Sequence, residues 1–378
     1  MGKRLDTFAD YALKMDSIVF SDMDKIINDA SQYRTYTFFE AFKRKRNIQS
    51  GKAIKDYIEL TKSNTAEWVA SNHRYNPVSD DGSVEQSLGW ARLTNYIYYD
   101  EEEVEDDGDK MVCWKSIYKG KRMRKAQDTY DTLEAALWAT PVNEMNIPVG
   151  NTAVSTSTPR RMMSIPAYIT KTADSVYHPT AFTTSGTILG IDPDLAVNAN
   201  WRNQHVKFTA GSFTTQIEDA LFKAYYYSTW NLAGGPKDGD MTGTPTDGCV
   251  MYCDLASIKK MRSILRDSND RLSQLGQYDK TSNFGQSGNF LNYMGKPFVW
   301  AEPLGDADTT EANQIIYGVN WAFMTPVVRK GRFLKLVKSR ATGAEFEYPD
   351  QPTARVLYEW TDVNLWCSSR RRQFLISA

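Results

Sequence analysis

The stretch from Thr353 to Ala378, TARVLYEWTDVNLWCSSRRRQFLISA, constrains the fold more than any other part of this chain. Strand-type apolar and aromatic residues fill it, followed by Arg370-Arg371-Arg372 and then Phe374-Leu375-Ile376. Chain ends usually fray in water because little ties them down. This one carries too much apolar surface for that, so it must pair in a sheet or lie against a partner. The chain therefore reads as one built to be assembled rather than one built around a reaction.

At 378 residues the chain is too long for one small core, and two or three lobes are expected. A formal net charge of -1 gives no global attraction to nucleic acid or to an anionic membrane. The 10 Trp, 21 Tyr and 16 Phe stand out, since Tyr and Trp, with Arg, dominate protein–protein contacts. A large β-rich core accounts for them equally well. Cys249 and Cys253 have three residues between them and no His-rich partner nearby, so no metal site is expected. With Cys113 and Cys367 they read as reduced, buried thiols. Met1-Gly2-Lys3-Arg4 leads into an amphipathic stretch, not a signal peptide, and Asp6 occupies the place where a myristoylation pattern wants Ser or Thr. No run approaches the roughly 18 apolar residues of a membrane span, so no membrane is expected as a partner.

Along the chain, helical spacing predicts a helix over residues 5–30. An aromatic arm follows over 31–50, with Tyr33, Tyr36, Phe38, Phe39 and Phe42 before Lys43-Arg44-Lys45-Arg46. Residues 52–99 read as a long hairpin. One strand carries Ile54, Tyr57, Ile58 and Leu60, and the other carries Leu93, Tyr96, Ile97, Tyr98 and Tyr99. Turn residues fill the tip between them. Asp100 to Asp109 then places eight carboxylates in ten positions. That run reads as a solvated loop or as a contact for a basic surface on a neighbouring copy; the ligand order of an EF-hand is missing.

Trp114, Ile117, Lys121, Lys125, Tyr130, Leu133 and Leu137 predict a helix over 110–139, about 45 Å long, with a basic middle from Lys119 to Lys125. Turn-rich sequence with a strand at Asn203–Phe208 leads to a second helix over 213–232. From Gly248 the pattern becomes α/β. A strand at Cys249–Tyr252 precedes a helix capped by Asp254 and running to about Asp267. Strands are expected at Pro297–Trp300, Gln314–Val319, Phe323–Val328, Phe333–Val337 and Ala354–Trp360, with a loop over 270–292.

No catalytic constellation emerges. His73, His178 and His205 are isolated, and HExxH, Walker A, GxGxxG and GxSxG are all absent from the sequence. No catalytic residue, cofactor or metal ligand is expected. The basic tracts Lys43–Arg46, Lys119–Lys125 and Arg370–Arg372 are short and balanced by the 100–109 acids, unlike a module that reads nucleic-acid sequence.

An arm, a long hairpin, one long helix, a β-rich lobe, an inserted α/β lobe and a returning strand pair follow one another in that order. This order resembles the major capsid proteins of tailed bacteriophages, the HK97-like fold. Gly295-Lys296-Pro297-Phe298-Val299, Ile315 through Trp321, and Trp360 through Ala378 are similar in texture. The resemblance implies an α+β fold with an N-terminal helix and arm (1–50) and an extended β-hairpin loop (51–109). A β-rich peripheral domain (110–210 and 340–378) would carry a spine helix at 110–139, and an α/β axial domain would span 211–339.

The resemblance further implies a non-enzymatic head-shell protein, assembled in the host cytoplasm and resident in the virion. It would self-assemble into hexamers and pentamers of an icosahedral head enclosing DNA. Implied partners are other copies, a portal, decoration proteins and non-specifically touched DNA. Because Leu5–Ile27 is too short for a coiled coil, a separate scaffolding protein is implied as well. The rival readings are another phage structural protein (portal, tail or decoration) and an enzyme without a recognised motif.

Interface candidates follow from the same reading. Tyr36, Phe38 and Phe39 would anchor the arm. Glu101, Glu102 and Glu103 would face Lys43, Arg44 and Arg46, or Arg122 and Arg124. Arg370, Arg371 and Arg372 would be intersubunit or lumen-facing charges.

Overall fold

The computed structural model describes residues 37–44, 47–60, 83–100, 110–145, 160–171, 187–228, 248–269, 284–287, 290–294, 296–305, 314–337, 346–348 and 351–378. In chain order the helices are α1 (Thr37–Arg44), α2 (Lys110–Leu137), α3 (Ile165–Tyr168), α4 (Phe213–Tyr227) and α5 (Leu255–Asn269). The first strands are β1 (Asn47–Gln49), β2 (Ala53–Glu59), β3 (Ser83–Gly89), β4 (Ala91–Asp100) and β5 (Gln204–Lys207). They are followed by β6 (Cys249–Cys253), β7 (Phe284–Ser287), β8 (Phe290–Tyr293), β9 (Lys296–Trp300) and β10 (Ile315–Asn320). The last are β11 (Met324–Arg329), β12 (Lys335–Val337), β13 (Phe346–Tyr348), β14 (Gln351–Cys367) and β15 (Phe374–Ser377).

Among the described residues, most strands sort into two sheets. The first is organised by the 17-residue β14. Along one edge β14 pairs in turn with β13, β12 and β11, and along the other with β4 from Ala354↔Asp100 to Val363↔Ala91. Residues 361–367 are all buried, as befits a strand covered on both faces. The second sheet runs β5-β15-β10-β6-β9-β8-β7. Its apolar faces are covered by α4 and α5, with Phe213, Ile217, Leu221 and Met261 in the same core as Phe374 and Ile376. Phe374 lies directly over Gly318, where any Cβ would collide with its ring.

The chain passes from the second sheet to the first between β10 and β11, and returns between β14 and β15. Gln373 ties the two crossings together: Asn320 N–H donates to its Oε1 at 2.7 Å, and its Nε2 donates to Asn320 O at 3.2 Å.

Helix α2 crosses the first sheet with Tyr130, Leu133 and Leu137 buried. Asn95 of β4 donates to Lys125 O at 3.2 Å and to Thr129 Oγ1 at 3.1 Å, fixing helix against strand. Helix α1 packs beside α2, and its Phe42 stacks on Phe333 at 4.9 Å. Glu134 of α2 accepts from Phe38 N–H at 2.8 Å and from Trp138 Nε1 at 3.1 Å. The Asp254 cap on α5 forms as expected, accepting from Ser257 N–H at 3.2 Å.

Several expectations are corrected. The hairpin partner of β2 is β3, in register from Ala53↔Gly89 to Glu59↔Ser83. The stretch expected to return along it, Leu93–Tyr99, is β4 of the first sheet. There Ile97 is buried, whereas a two-stranded ribbon offers little burial. Strands β11 and β12, expected with the α/β lobe, pair with β14, and the tail strand β15 joins the second sheet instead of continuing the first. Residues 284–287 and 290–293, expected as loop, pair as the β7–β8 hairpin. The helix expected over 5–30, Tyr36, Arg46, the hairpin tip and Glu101–Glu103 lie outside the described residues.

Candidate functional site

Two of the charged interface candidates, Arg370 and Arg122, prove to be internal ties. Arg370 is 0% exposed. Its Nε donates to Tyr168 O at 2.7 Å, Nη2 to Asn203 Oδ1 at 3.0 Å and Nη1 to Trp201 O at 3.3 Å. The guanidinium also lies 5.7 Å from the Trp201 ring centre, and burial lowers its pKa to about 10. Arg370 is thus a bracket between β14's end, α3 and the segment before β5, not an intersubunit or lumen-facing charge. An arginine can be buried this way because its fixed fork of donors satisfies several oxygens at once.

Arg122 is likewise buried. With Lys125 it pairs Glu359 of β14, at 2.7 and 3.3 Å, so the middle of α2 does not present these two cations to a neighbour. Phe38 is fully buried in its own chain's core and does not serve as an anchor in another copy. Arg371 is exposed and donates to Asn200 Oδ1 at 2.7 Å. Arg372 is half-buried over the Phe323 ring at 5.6 Å, and Arg124 is exposed. Phe39, Lys43 and Arg44 belong to α1, with side chains outside the described set.

What the sequence reading missed is the face of the first sheet opposite α2. Side chains alternate along β4, so Asn95 and Ile97 turn toward α2 while Tyr96 and Tyr98 turn away, 63% and 40% exposed. Tyr96 meets Tyr358 of β14 with ring centres 6.3 Å apart. Further along the same face, Arg92 Nε donates to Asp362 Oδ1 at 2.8 Å, while Arg329 and Arg332 reach Oδ2 at 3.3 and 3.5 Å. Arg92 and Arg332 also lie over the Trp360 ring, at 5.1 and 6.0 Å. The Asp362 side chain is 0% exposed, but the three arginines are 45%, 26% and 36% exposed. Among the described residues one carboxylate, Asp362, serves these three guanidinium groups, which leaves net positive charge at the cluster. The sequence signal is Arg329-Lys330-Gly331-Arg332, a basic turn after β11.

Exposed aromatics recur on two further elements. The β2–β3 hairpin holds Ile54 and Leu88 inside and presents Tyr57, 68% exposed. On α4, Phe222 and Tyr226 pack with ring centres 4.5 Å apart beside the exposed Tyr227.

Groups with chemical potential are turned to structure. Cys253 and Cys367 are buried, and burial pushes their thiols up (Cys367 to about 12), away from the reactive thiolate. His205 Nε2 lies 3.0 Å from Ser377 Oγ. Burial, with Lys207 and Lys171 nearby, lowers its pKa to about 4, so it is neutral at pH 7. That pair links the adjacent strands β5 and β15. Among the described residues no helix is long and apolar enough to cross a membrane.

No family profile matches this sequence, and no curated protein is similar to it in sequence. Solved structures are similar in shape. The capsid chain of a native GTA particle superposes with a TM-score of 0.52 at 10% identity, covering 90% of this chain and 89% of that one. That of an empty GTA particle gives 0.52 at 12% identity, covering 91% and 90%. The fold is that of these capsid chains. On this fold the exposed aromatic residues fall on separate elements: Tyr57 on the hairpin, Tyr96 and Tyr98 on the first sheet, Phe222, Tyr226 and Tyr227 on α4, and Trp300 on β9.

Proposed function

We propose that this chain is a major capsid protein, the repeating head-shell subunit of a tailed-phage particle with an HK97-like fold. The observation that carries the reading is the fold likeness to GTA capsid chains along about nine-tenths of both partners. The separate exposed aromatic surfaces support it, because a shell subunit must meet several neighbours at once. In this reading the β2–β3 hairpin is the extended loop, α2 the spine helix, the β14 sheet the peripheral domain and the β10 sheet the axial domain. The hairpin lies across α2 and the first sheet of the next copy, and the arm before α1 reaches a further neighbour. Many weak contacts then add up through geometry to hexamers, pentamers and a closed icosahedral head.

The acid run at 100–109 supplies register and orientation against a basic surface more than affinity. The protein resides in the virion around packaged DNA, which it touches non-specifically, and works with a scaffolding protein, a portal and decoration proteins. It is not an enzyme: its surfaces join copies, and the thiols of Cys249, Cys253 and Cys367, with His205, serve the core.

Negative-stain microscopy of the purified protein tests this. Uniform shells or capsomers are expected. Tubes or rings would point instead to a portal or tail protein, and small discrete particles at every concentration would overturn the shell reading in favour of an enzyme.

A further inference from the structure

We infer that the face of the first sheet at Arg92, Arg329 and Arg332 is a docking site for an acidic segment, and that its occupant is the run Asp100–Asp109 of a second copy of this chain. The inference rests on the self-assembly proposed above and names one of its contacts.

The cluster has donors to offer. Each guanidinium carries five N–H groups, yet the three together make four contacts to Asp362. Among the described residues, Asp362 is the carboxylate they share, so two positive charges remain in excess. Lys335, exposed and in register with Trp360, adds to the same side. The guanidinium groups of Arg92 and Arg332 are already held over Trp360, which lowers the ordering cost of receiving a partner. Exposed Tyr96 and Tyr98 extend the face along β4 and supply apolar contact. The occupant is argued from charge: the run from 100 to 109 holds eight carboxylates in ten positions. The alternative basic tract on α2 is less suitable, since Arg122 and Lys125 already pair Glu359.

Topology favours contact between copies. Asp100 ends the strand that carries Arg92, about 26 Å away at ~3.3 Å per residue. The nine residues between Asp100 and Lys110 could double back about 17 Å even with both legs fully extended. A run from another copy approaches the face without that constraint. Run and cluster are different patches, so copies arranged head-to-tail can repeat the contact around a ring, as the hexamers and pentamers proposed above require.

A fluorescent peptide of sequence DEEEVEDDGD, titrated against the purified protein, tests the inference. Arg329→Gln/Arg332→Gln is the comparison variant, because Arg92 still satisfies the buried Asp362. Wild type is expected to bind at low salt, with affinity falling as salt rises. The variant should bind at least about tenfold more weakly while its thermal unfolding matches wild type. A peptide with every carboxylate replaced by its amide should not bind. Equal binding by the variant, binding of the amide peptide, or no binding by wild type overturns the inference. So does a double-stranded DNA oligonucleotide that binds in the peptide's place, which would assign the cluster to phosphate. Should the variant unfold, the salt titration and the amide peptide decide alone. Microscopy reads the shell proposal separately, so particles without peptide binding sink only the docking inference.

Discussion

Arg370 and Arg371 are neighbours in sequence and opposites in the structure. Arg370 is enclosed by the oxygens of Tyr168, Trp201 and Asn203, whereas Arg371 reaches Asn200 from the surface. Removing the first strands buried acceptors and leaves a void. Arg370→Ala is therefore expected to cost on the order of 3 kcal/mol in chemical denaturation. Arg371→Ala should stay within about 0.5 kcal/mol, as surface substitutions do. Equal effects would show that the bracket is not where the stability lies.

His205 gives a pH dependence with a definite sign. Its folded pKa of about 4 lies below the ordinary 6.5, so between those values the unfolded chain binds a proton that the folded one refuses. Its contribution is full above pH 6.5 and is lost as pH falls toward 4. His205→Gln is expected to flatten the melting temperature against pH across that window. A variant curve as steep as wild type's would assign the acid loss to other groups.

At the scale of elements, helix stripes and several strand positions were readable, and pairings and the 17-residue length of β14 were not. The stripe on α2, the cap at Asp254 and the positions of β6, β9, β10 and β11 all follow from local periodicity. The partner of β2 did not, because the periodicity of residues 93–99 suits any sheet with a covered face, and β14 with α2 offered more burial than a ribbon. The hairpin itself carries a prediction. Ile54 and Leu88 tie its base to the core, so deleting Asn72–Gly82 should leave a soluble, folded subunit. Under the shell proposal that subunit fails to close shells in electron micrographs. Normal closed particles would remove the hairpin from the assembly mechanism.

Over the whole molecule, two sheets share one chain through two crossings, and Gln373 in one crossing bonds Asn320 at the start of the other. That arrangement turns the C-terminal stretch into an interior strand, Phe374 to Ile376 each at most 1% exposed, with no apolar end left over for a partner. Micrographs of the intact protein are therefore expected to report contacts made by the hairpin, the β4 face and α4, with the tail buried in every copy.

The sequence by itself determined the long helices, strands β6, β9, β10 and β11 and the necessity that residues 353–378 be enclosed, because each rests on side-chain periodicity and apolar content within a short window. Only the tertiary structure decided which sheet received β15, which arginines were buried and which gathered around Asp362. Those outcomes depend on strands brought together from distant parts of the chain. An arginine's long apolar stem and charged fork suit a core bracket as well as a surface, so its residue type alone does not say which it will be.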